Sequence, residues 1–301
     1  MTKIAILGSS GMIGSGVSRG LTEQGFDVTE FNRTGESLIA ENPVKKFDIN
    51  TVTDESLKIF SDFDYIINST GVIRHKISSK SQQDIENAIK VNCLFPQQLG
   101  RSAKKYGYKV LQIGTDCVFS GTKGAYSESD PFDPIDAYGF TKVLGESCIA
   151  GTMTLRVSVI GQEKNSSTEL LNWVIDQGPD AILRGFANHV WNGVTPLQLS
   201  KILSFIINES IFFEGVQHLV PQDKVSKYQL VKTIAEVFGR SDITISEFQT
   251  DTRVDRSLAT DNVARNLQLW EGAGYGSPPR IEDMIREYRN WLLPRSDLKR
   301  A

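Results

Sequence analysis

The chain has 301 residues, 40% of them hydrophobic and 23% charged, and a formal net charge of −3. This length accommodates one large or two small domains, and the charge balance provides no basic surface for nucleic acid or an anionic membrane. No apolar run approaches the length of a membrane span, and residues 1–7 are typical of a strand rather than a signal peptide. We therefore expect a soluble, cytoplasmic globular protein without a nucleic-acid or membrane partner.

The cysteines and histidines do not have the spacing of metal ligands. The cysteines are odd in number, which is typical of a reducing compartment, and they are Cys93, Cys117 and Cys148. The three histidines are equally scattered along the chain. We therefore predict no metal site.

A short apolar strand at residues 4–7 leads directly into a turn with glycines at Gly8, Gly11 and Gly14. From residue 12 to residue 21, apolar side chains recur at three- and four-residue steps, which predicts a helix. A strand, a glycine turn and a helix N-terminus form a site for a pyrophosphate. The pattern favours dinucleotide binding over the alternative of a purely structural turn.

The second strand is predicted at residues 26–31 and ends in Asn32, Arg33 and Thr34. In a nicotinamide-binding fold this strand end meets the adenosine ribose. An acidic side chain here would bind the ribose hydroxyls of NAD, whereas an arginine suits the 2′-phosphate of NADP. The sequence therefore favours NADP, with NAD as the alternative. A solvated loop arginine is the competing interpretation of Arg33.

A third strand is predicted at residues 44–47, followed by Asp48 and Ile49 where an adenine ring would lie. Asp48 is equally compatible with capping a helix that begins near Thr53. A fourth strand at residues 65–67 continues into small residues that leave space for the middle of the cofactor, namely Ser69, Thr70 and Gly71.

Three basic residues follow that strand, Arg74, His75 and Lys76, and they suit either a substrate diphosphate or a solvated surface. A long helix is then predicted over residues 81–106. Its expected buried side carries Ile85, Ile89, Val91, Leu94 and Leu99. Asn92 lies among these apolar neighbours, and a buried amide needs partners, either backbone groups or a catalytic water.

The fifth strand is predicted at residues 110–113, which places Thr115 at its carboxyl end, where open α/β sheets bind ligands. Further along, Tyr138 and Lys142 are four residues apart and share one face of a helix. A lysine beside a tyrosine is expected to lower the tyrosine pKa from about 10 toward working pH. Such a tyrosine can protonate the oxygen of a carbonyl that receives a hydride.

Five motifs together resemble the extended short-chain dehydrogenase/reductases, and most closely their dTDP-4-dehydrorhamnose reductase branch. They are Gly8-x-x-Gly11-x-x-Gly14, Asn68-Ser69-Thr70-Gly71, Val91-Asn92, Thr115 to Gly121 and Tyr138-Gly139-Phe140-Thr141-Lys142. The resemblance is strong to about residue 161 and looser beyond it. It implies an α/β fold with a doubly wound, parallel Rossmann sheet and a smaller C-terminal α/β substrate domain. The expected domains are residues 1–161 and 162–301, with some later strands returning to the first sheet.

The resemblance also implies an activity, the NADPH-dependent reduction of a 4-keto-6-deoxy sugar carried on a nucleotide, in the synthesis of cell-surface polysaccharide precursors. It assigns Tyr138 as proton donor, Lys142 as its pKa modifier and ribose ligand, and Thr115 as the hydroxyl that orients the keto oxygen. The other cofactor-binding residues that it implies are Gly8, Ser10, Gly11, Met12, Ile13, Gly14, Asn32, Arg33, Asp48, Ile49, Ser69, Thr70, Gly71 and Asn92.

The expected substrate residues lie on both halves of the chain and are Val72, Arg74, Cys117, Val118, His189, Trp191 and Asn192. The last three belong to a loop that could stack against a sugar or base, or could simply pack between domains. This chain departs from the family at Cys117, where a tyrosine is common, at Val159 and at Arg253-Val254. These departures leave the identity of the sugar open.

Helices are also predicted over residues 170–175, 197–207, 227–238 and 281–292, and a loose tail over residues 294–301. Two other functions compete with simple reduction. One is epimerisation that uses Cys117, with His189 as a further candidate, to move a proton beside the keto group. The other is a non-catalytic regulatory subunit that binds NADP and a partner protein. A homodimer is left open.

Overall fold

The computed structural model describes residues 1–37, 42–146, 150–163 and 169–293. Cys148 and the predicted tail lie outside these residues. The strands are β1 Lys3–Leu7, β2 Asp27–Asn32, β3 Val44–Lys46, β4 Tyr65–Asn68, β5 Lys109–Gly114, β6 Thr152–Arg156, β7 Ile182–Phe186, β8 His189–Trp191, β9 Gly215–His218, β10 Val225–Ser226, β11 Thr244–Phe248 and β12 Val254–Asp255. The helices are α1 Met12–Glu23, α2 Gln82–Ala88, α3 Phe95–Tyr106, α4 Ala137–Glu146, α5 Leu170–Ile175, α6 Pro196–Asn208, α7 Lys227–Val237, α8 Val263–Gly272 and α9 Ile281–Leu292.

A seven-stranded sheet in the order β3-β2-β1-β4-β5-β6-β9 forms the centre of the protein, and every neighbouring pair is parallel. The strand order reverses between β1 and β4, and ligands of open α/β sheets bind at such a reversal. The fold class is the doubly wound Rossmann arrangement predicted from the sequence. Its central strands are buried along nearly their whole length, as expected of a sheet that is covered on both faces.

The second half of the chain forms a three-stranded sheet, β10-β8-β12, and a parallel pair, β11-β7. It also returns to the first half twice. β9 pairs with β6 at the edge of the large sheet, and α6 packs on α1. One hydrophobic core continues through both halves, from Ile4 and Val17 to Trp270 and Met284.

The long helix predicted over residues 81–106 contains a π-helical segment, Ile89–Leu94, between α2 and α3. A π turn contains more residues per turn than an α turn, so it rotates the side chains that follow it. The expected buried side is therefore wrong in part. Ile89 and Leu94 are exposed, whereas Val91 and Leu99 are buried.

Within the described part of the chain, no helix combines the length and the apolar character needed to cross a membrane.

Candidate active site

The glycine turn between β1 and α1 has the backbone geometry of a phosphate-binding loop. Gly8 has φ +78°, a conformation that side chains disfavour, and Gly11 donates a backbone hydrogen bond of 3.0 Å to the Gly8 carbonyl. A Cβ atom on Gly14 would lie 2.2 Å from that carbonyl, so only glycine allows α1 to pack this closely on β1. The turn therefore leaves the first backbone N–H groups of α1 at the mouth of the site.

A cleft of about 570 Å³ opens at this turn. Of the residues predicted to bind cofactor or substrate, it is lined by Gly8, Ser10, Gly11, Asn32, Arg33, Asp48, Ile49, Ser69, Thr70, Gly71 and Val72. Four chain segments that are distant in sequence thus meet at one cavity. Lys76, one of the three basic residues considered for a substrate diphosphate, also lines the cleft. Residues that were not predicted line it as well, namely Phe31, Thr34, Glu36, Phe47, Asn50, Asn87, Val91 and Glu163.

Asn32 shapes the loop that carries Arg33. Its amide nitrogen donates to Ser9 Oγ and to the Glu36 carbonyl, both at 2.9 Å, and its oxygen accepts from the Gly35 N–H at 2.7 Å. The amide is thereby occupied within the protein rather than free for a ribose. Arg33 is exposed beside it at the edge of the cleft.

Asp48 is a capping residue that also lines the cleft, although the element it caps is not the one predicted from the sequence. Its carboxylate accepts from the Asn50 backbone N–H at 3.0 Å and caps a 3₁₀ turn, Ile49–Thr51, rather than a helix near Thr53. Asp48 also lines the cleft together with Ile49.

Asn92 lies in the π segment and is 1% exposed. Its oxygen accepts from the Val72 N–H at 2.8 Å, and its amide nitrogen donates to the Val72 carbonyl at 3.0 Å and to Thr141 Oγ1 at 3.1 Å. The partners are thus backbone groups and a helix hydroxyl. Asn92 holds the wall of the cleft against α4, which carries Tyr138 and Lys142.

Thr115, Tyr138 and Lys142 converge at the carboxyl end of β5. Thr115 caps a short turn by accepting the Cys117 N–H at 3.2 Å, and its side chain lies beside Tyr138. Lys142 is 5% exposed and donates to the Ile113 carbonyl at 3.3 Å. Asp136 caps the start of α4 by accepting the Gly139 N–H at 2.8 Å, and α4 packs closely on the turn after β5, where a Cβ atom on Gly139 would lie 2.5 Å from the Cys117 carbonyl.

The expected lowering of the tyrosine pKa by the lysine is wrong for this site. Burial raises the pKa of Tyr138, the nearby Cys117 and Asp116 add to this rise, and the neighbouring Thr115 hydroxyl opposes only part of it. The ammonium of Lys142 is turned toward the Ile113 carbonyl, and burial lowers its own pKa. Tyr138 is therefore protonated at neutral pH, which is the form that can donate a proton.

Behind these residues lies a buried charged network that the sequence analysis missed. Glu146 accepts the Thr115 N–H at 3.2 Å and forms an ion pair of 2.8 Å with Arg156. Arg156 donates to His218 Nε2 at 2.7 Å, and His218 Nδ1 donates to the Ala259 carbonyl at 2.7 Å. A guanidinium can only donate and a carbonyl can only accept, so His218 is neutral in this network. Burial, followed by the charge of Arg156, correspondingly lowers the His218 pKa.

Two sequence features could have revealed this network. Glu146 continues the four-residue step of Tyr138 and Lys142 along one face of α4, and Arg156 is a charged residue at the end of an otherwise uncharged strand.

The remaining predicted substrate residues differ in their surroundings. Val118 is fully buried in a cluster with Phe119, Tyr126 and Leu258, so the prediction that it contacts substrate is wrong. The Asn192 amide nitrogen donates to the Leu258 carbonyl at 2.8 Å, and its oxygen accepts the Leu258 N–H at 2.7 Å. Asn192 therefore joins β8 to the segment that follows β12.

Arg74 lies 2.5 Å from Asp136 in an ion pair at the start of α4. His189 stacks on Phe186 with ring centroids 4.6 Å apart, and its Nε2 lies 3.0 Å from Thr250 Oγ1. Trp191 is buried and donates to Ser158 Oγ at 2.8 Å.

The remaining cofactor predictions also lie away from the lining of the cleft. Met12 and Ile13 are partly buried in the first turn of α1, and Gly14 is buried behind the glycine turn.

The sheet order, the glycine turn and the paired tyrosine and lysine on α4 define an NAD(P)-dependent oxidoreductase of the short-chain dehydrogenase/reductase superfamily, in its extended branch. A family model described as the RmlD substrate binding domain matches residues 1–261. The chain belongs to this family.

Two relatives illustrate its range. A probable low-salt glycan biosynthesis reductase, Agl14, of Haloferax volcanii is 25% identical over 92% of this chain and 94% of its own. The methionine adenosyltransferase 2 subunit beta of Mus musculus is 23% identical over 95% of this chain and 86% of its own.

Solved structures share the fold over nearly the whole chain. The dTDP-4-dehydrorhamnose reductase of Bacillus anthracis, in complex with NADP, superposes with a TM-score of 0.77 at 16% identity, covering 97% of this chain and all of that one. MoeE5, in complex with UDP-glucose and NAD, superposes with a TM-score of 0.72 at 18% identity and the same coverage.

Proposed function

We propose that the protein uses NADPH to reduce a 4-keto-6-deoxy sugar carried on a nucleotide. The observation that carries this proposal is that Thr115, at the carboxyl end of β5, and Tyr138, on α4, lie side by side. Two hydroxyls at that point can both contact one carbonyl oxygen, and Lys142 lies one helical turn below them on α4. This arrangement suits proton donation to a carbonyl that receives a hydride.

The cleft fits a nicotinamide dinucleotide. The Gly8 and Gly14 positions admit no side chain, and the N-terminus of α1 suits a pyrophosphate. Arg33 would pair with a 2′-phosphate, and Asp48 and Ile49 would contact the adenine. When bound, NADPH would supply the hydride.

The residues of the chain account for the proton. Tyr138 is protonated at neutral pH because burial raises its pKa, and it would donate to the carbonyl oxygen as negative charge develops there. Thr115 would hold that oxygen in line. The Glu146 carboxylate accepts the backbone N–H of Thr115 and so positions this residue. The buried ion pair between Glu146 and Arg156 therefore supports the placement of the Thr115 hydroxyl.

The state of the Cys117 thiol favours simple reduction over epimerisation. Burial and the neighbouring Asp116 raise the pKa of Cys117 to about 12, so the thiol carries its proton at neutral pH. Its sulfur lies 3.7 Å from Asp116 Oδ1, where it donates a weak hydrogen bond. His189 is held by Phe186 and Thr250 in the second half of the chain.

The regulatory-subunit alternative has one observation in its favour, the likeness to methionine adenosyltransferase 2 subunit beta. A protein that only bound a cofactor and a partner would not require Thr115, Tyr138 and Lys142 together. Their convergence at one strand end favours catalysis.

The decisive test is NADPH oxidation by the purified protein with a panel of nucleotide-linked 4-keto-6-deoxy sugars. We expect at least one member to be reduced, with NADPH preferred over NADH. Tyr138→Phe tested in parallel separates enzymatic turnover from contaminating activity. If no member is turned over while NADPH still binds tightly, the proposed reduction is wrong and the regulatory alternative gains support.

A further inference from the structure

Lys227 lies at the edge of the active site, and the reaction proposed above does not use it. It is the first residue of α7 and follows β10, which pairs with β8. Its ammonium lies 5.3 Å from the ring centroid of Trp191. Lys227 is partly buried. It donates no hydrogen bond to any residue that the structure describes, so all three of its N–H groups are available to a ligand.

The ionisable groups near Lys227 include two residues that follow the carboxyl end of β5. Asp116 and Cys117 interact with it electrostatically, as do Glu169 at the start of α5 and Arg256 after β12. Arg256 donates through Nε to the Phe119 carbonyl at 2.8 Å, which leaves its terminal nitrogens without a hydrogen bond to the described residues. Lys227 and Arg256 therefore both have free N–H donors and lie near the strand end that carries Thr115.

The negative charge beside them does not use these donors. Burial raises the pKa of Asp116, and its carboxyl lies against its neighbours Thr115 and Cys117 rather than against Lys227. An unpaired ammonium held over an aromatic ring at the rim of a site is a position for an anionic oxygen of a ligand.

We propose that Lys227, with Arg256 beside it, binds an anionic oxygen of the nucleotide-sugar substrate and so sets substrate specificity. This inference rests on the proposed function. In the 4-keto-6-deoxy substrate proposed above, the diphosphate that links the sugar to the nucleoside is the anionic group. A carboxylate is a second source of the same chemistry, but only on a sugar that is oxidised at C6. Lys227 is a binding residue in this proposal and takes no part in proton transfer.

The test measures binding of UDP-glucose and UDP-glucuronic acid, and of the corresponding dTDP compounds, to the NADP-loaded protein by calorimetry. These pairs share the diphosphate and differ by one carboxylate. Lys227→Met should weaken binding by about tenfold to hundredfold, the scale of a charge-assisted hydrogen bond. Lys227→Arg should retain part of the affinity. Lys232→Met serves as the matched control, because Lys232 lies on the same helix and is exposed.

The pattern of loss identifies the oxygen that is bound. An equal loss for both members of a pair assigns Lys227 to the diphosphate. A loss confined to the glucuronic acid compounds assigns it to a sugar carboxylate, and this result would contradict a 6-deoxy sugar as the substrate. Burial lowers the pKa of Lys227 to about 8, so wild-type affinity should fall between pH 7 and pH 9 while that of Lys227→Met stays level. Lys227→Gln repeats the experiment with a polar side chain if the methionine variant unfolds.

Unchanged affinity for all four compounds in Lys227→Met would overturn the inference. The proposed reduction fails separately, through absent NADPH oxidation across the keto-sugar panel while Lys227-dependent binding persists. Absence of binding by any nucleotide sugar would overturn both.

Discussion

Glu146 and Arg156 form an ion pair of 2.8 Å in which both side chains are only 1% exposed. Arg156 donates twice to the same carboxylate oxygen, through Nε and Nη2, while the other oxygen accepts the Thr115 N–H. The guanidinium also lies over the ring of Phe119 at 5.4 Å. The pair therefore connects the last turn of α4 to the strand end that carries the proposed catalytic threonine.

Removing one member of this pair should destabilise the protein strongly. Arg156→Met leaves the Glu146 carboxylate buried without its cation, which costs about 3–5 kcal/mol in the free energy of unfolding. Urea unfolding followed by circular dichroism measures the loss. The double variant Glu146→Gln/Arg156→Met should recover part of it, and Arg101→Met, at an exposed arginine on α3, should change little. Equal stability of Arg156→Met and the wild type would show that the pair does not contribute as described.

Turnover should depend on the hydroxyl of Tyr138. Tyr138→Phe keeps the ring and removes the proton donor, so kcat should fall about a hundredfold or more while NADPH binding is kept. The measurement is steady-state NADPH oxidation with the best substrate of the panel, beside fluorescence titration of the cofactor. Tyr106→Phe on α3 is the control. Near wild-type turnover in Tyr138→Phe would remove this residue from the mechanism.

NADPH should bind more tightly than NADH because Arg33 is exposed at the edge of the cleft. A charge-assisted hydrogen bond to the 2′-phosphate is worth about 1.5–3 kcal/mol, or about tenfold to hundredfold in Kd. Arg33→Ala should remove most of this preference and leave NADH binding unchanged, whereas Arg101→Ala should leave both unchanged. Equal wild-type affinities for the two cofactors would refute the assignment of Arg33.

The Cys117 thiol should react slowly with alkylating reagents. Because its pKa is raised to about 12, the reactive thiolate forms only as the pH approaches that value, and alkylation by iodoacetamide between pH 7 and pH 9 should be far slower than for free cysteine. Mass spectrometry of the alkylated peptide measures this rate.

Cys117→Ser should correspondingly keep most of the reductase activity, and solvent deuterium should not enter the carbons beside the keto group. Enzyme-dependent uptake that disappears in Cys117→Ser would instead identify an epimerase-reductase.

Local sequence patterns were sufficient to predict much of the fold. The strand, glycine turn and α1 at the N-terminus depend on contacts between near neighbours in the chain, and so does the spacing of Tyr138 and Lys142 on α4. The periodicity of residues 281–292 likewise predicted α9 with the bounds observed. The fold class and the superfamily were predicted correctly because these patterns occur in the order that a doubly wound sheet requires.

Tertiary structure decided what the polar side chains contact. Arg156 and His218 are 62 residues apart and Asn192 and Leu258 are 66 apart, and no local periodicity relates such pairs. The π segment rotated Ile89 and Leu94 outward because its hydrogen bonding departs from the α-helical step that the prediction assumed. The Tyr138 pKa rose because burial outweighed a neighbour whose ammonium is turned away. Sequence by itself thus determined which elements form and in what order. Only the packing of distant segments, which sets burial and hydrogen-bond partners, decided the electrostatics of the site.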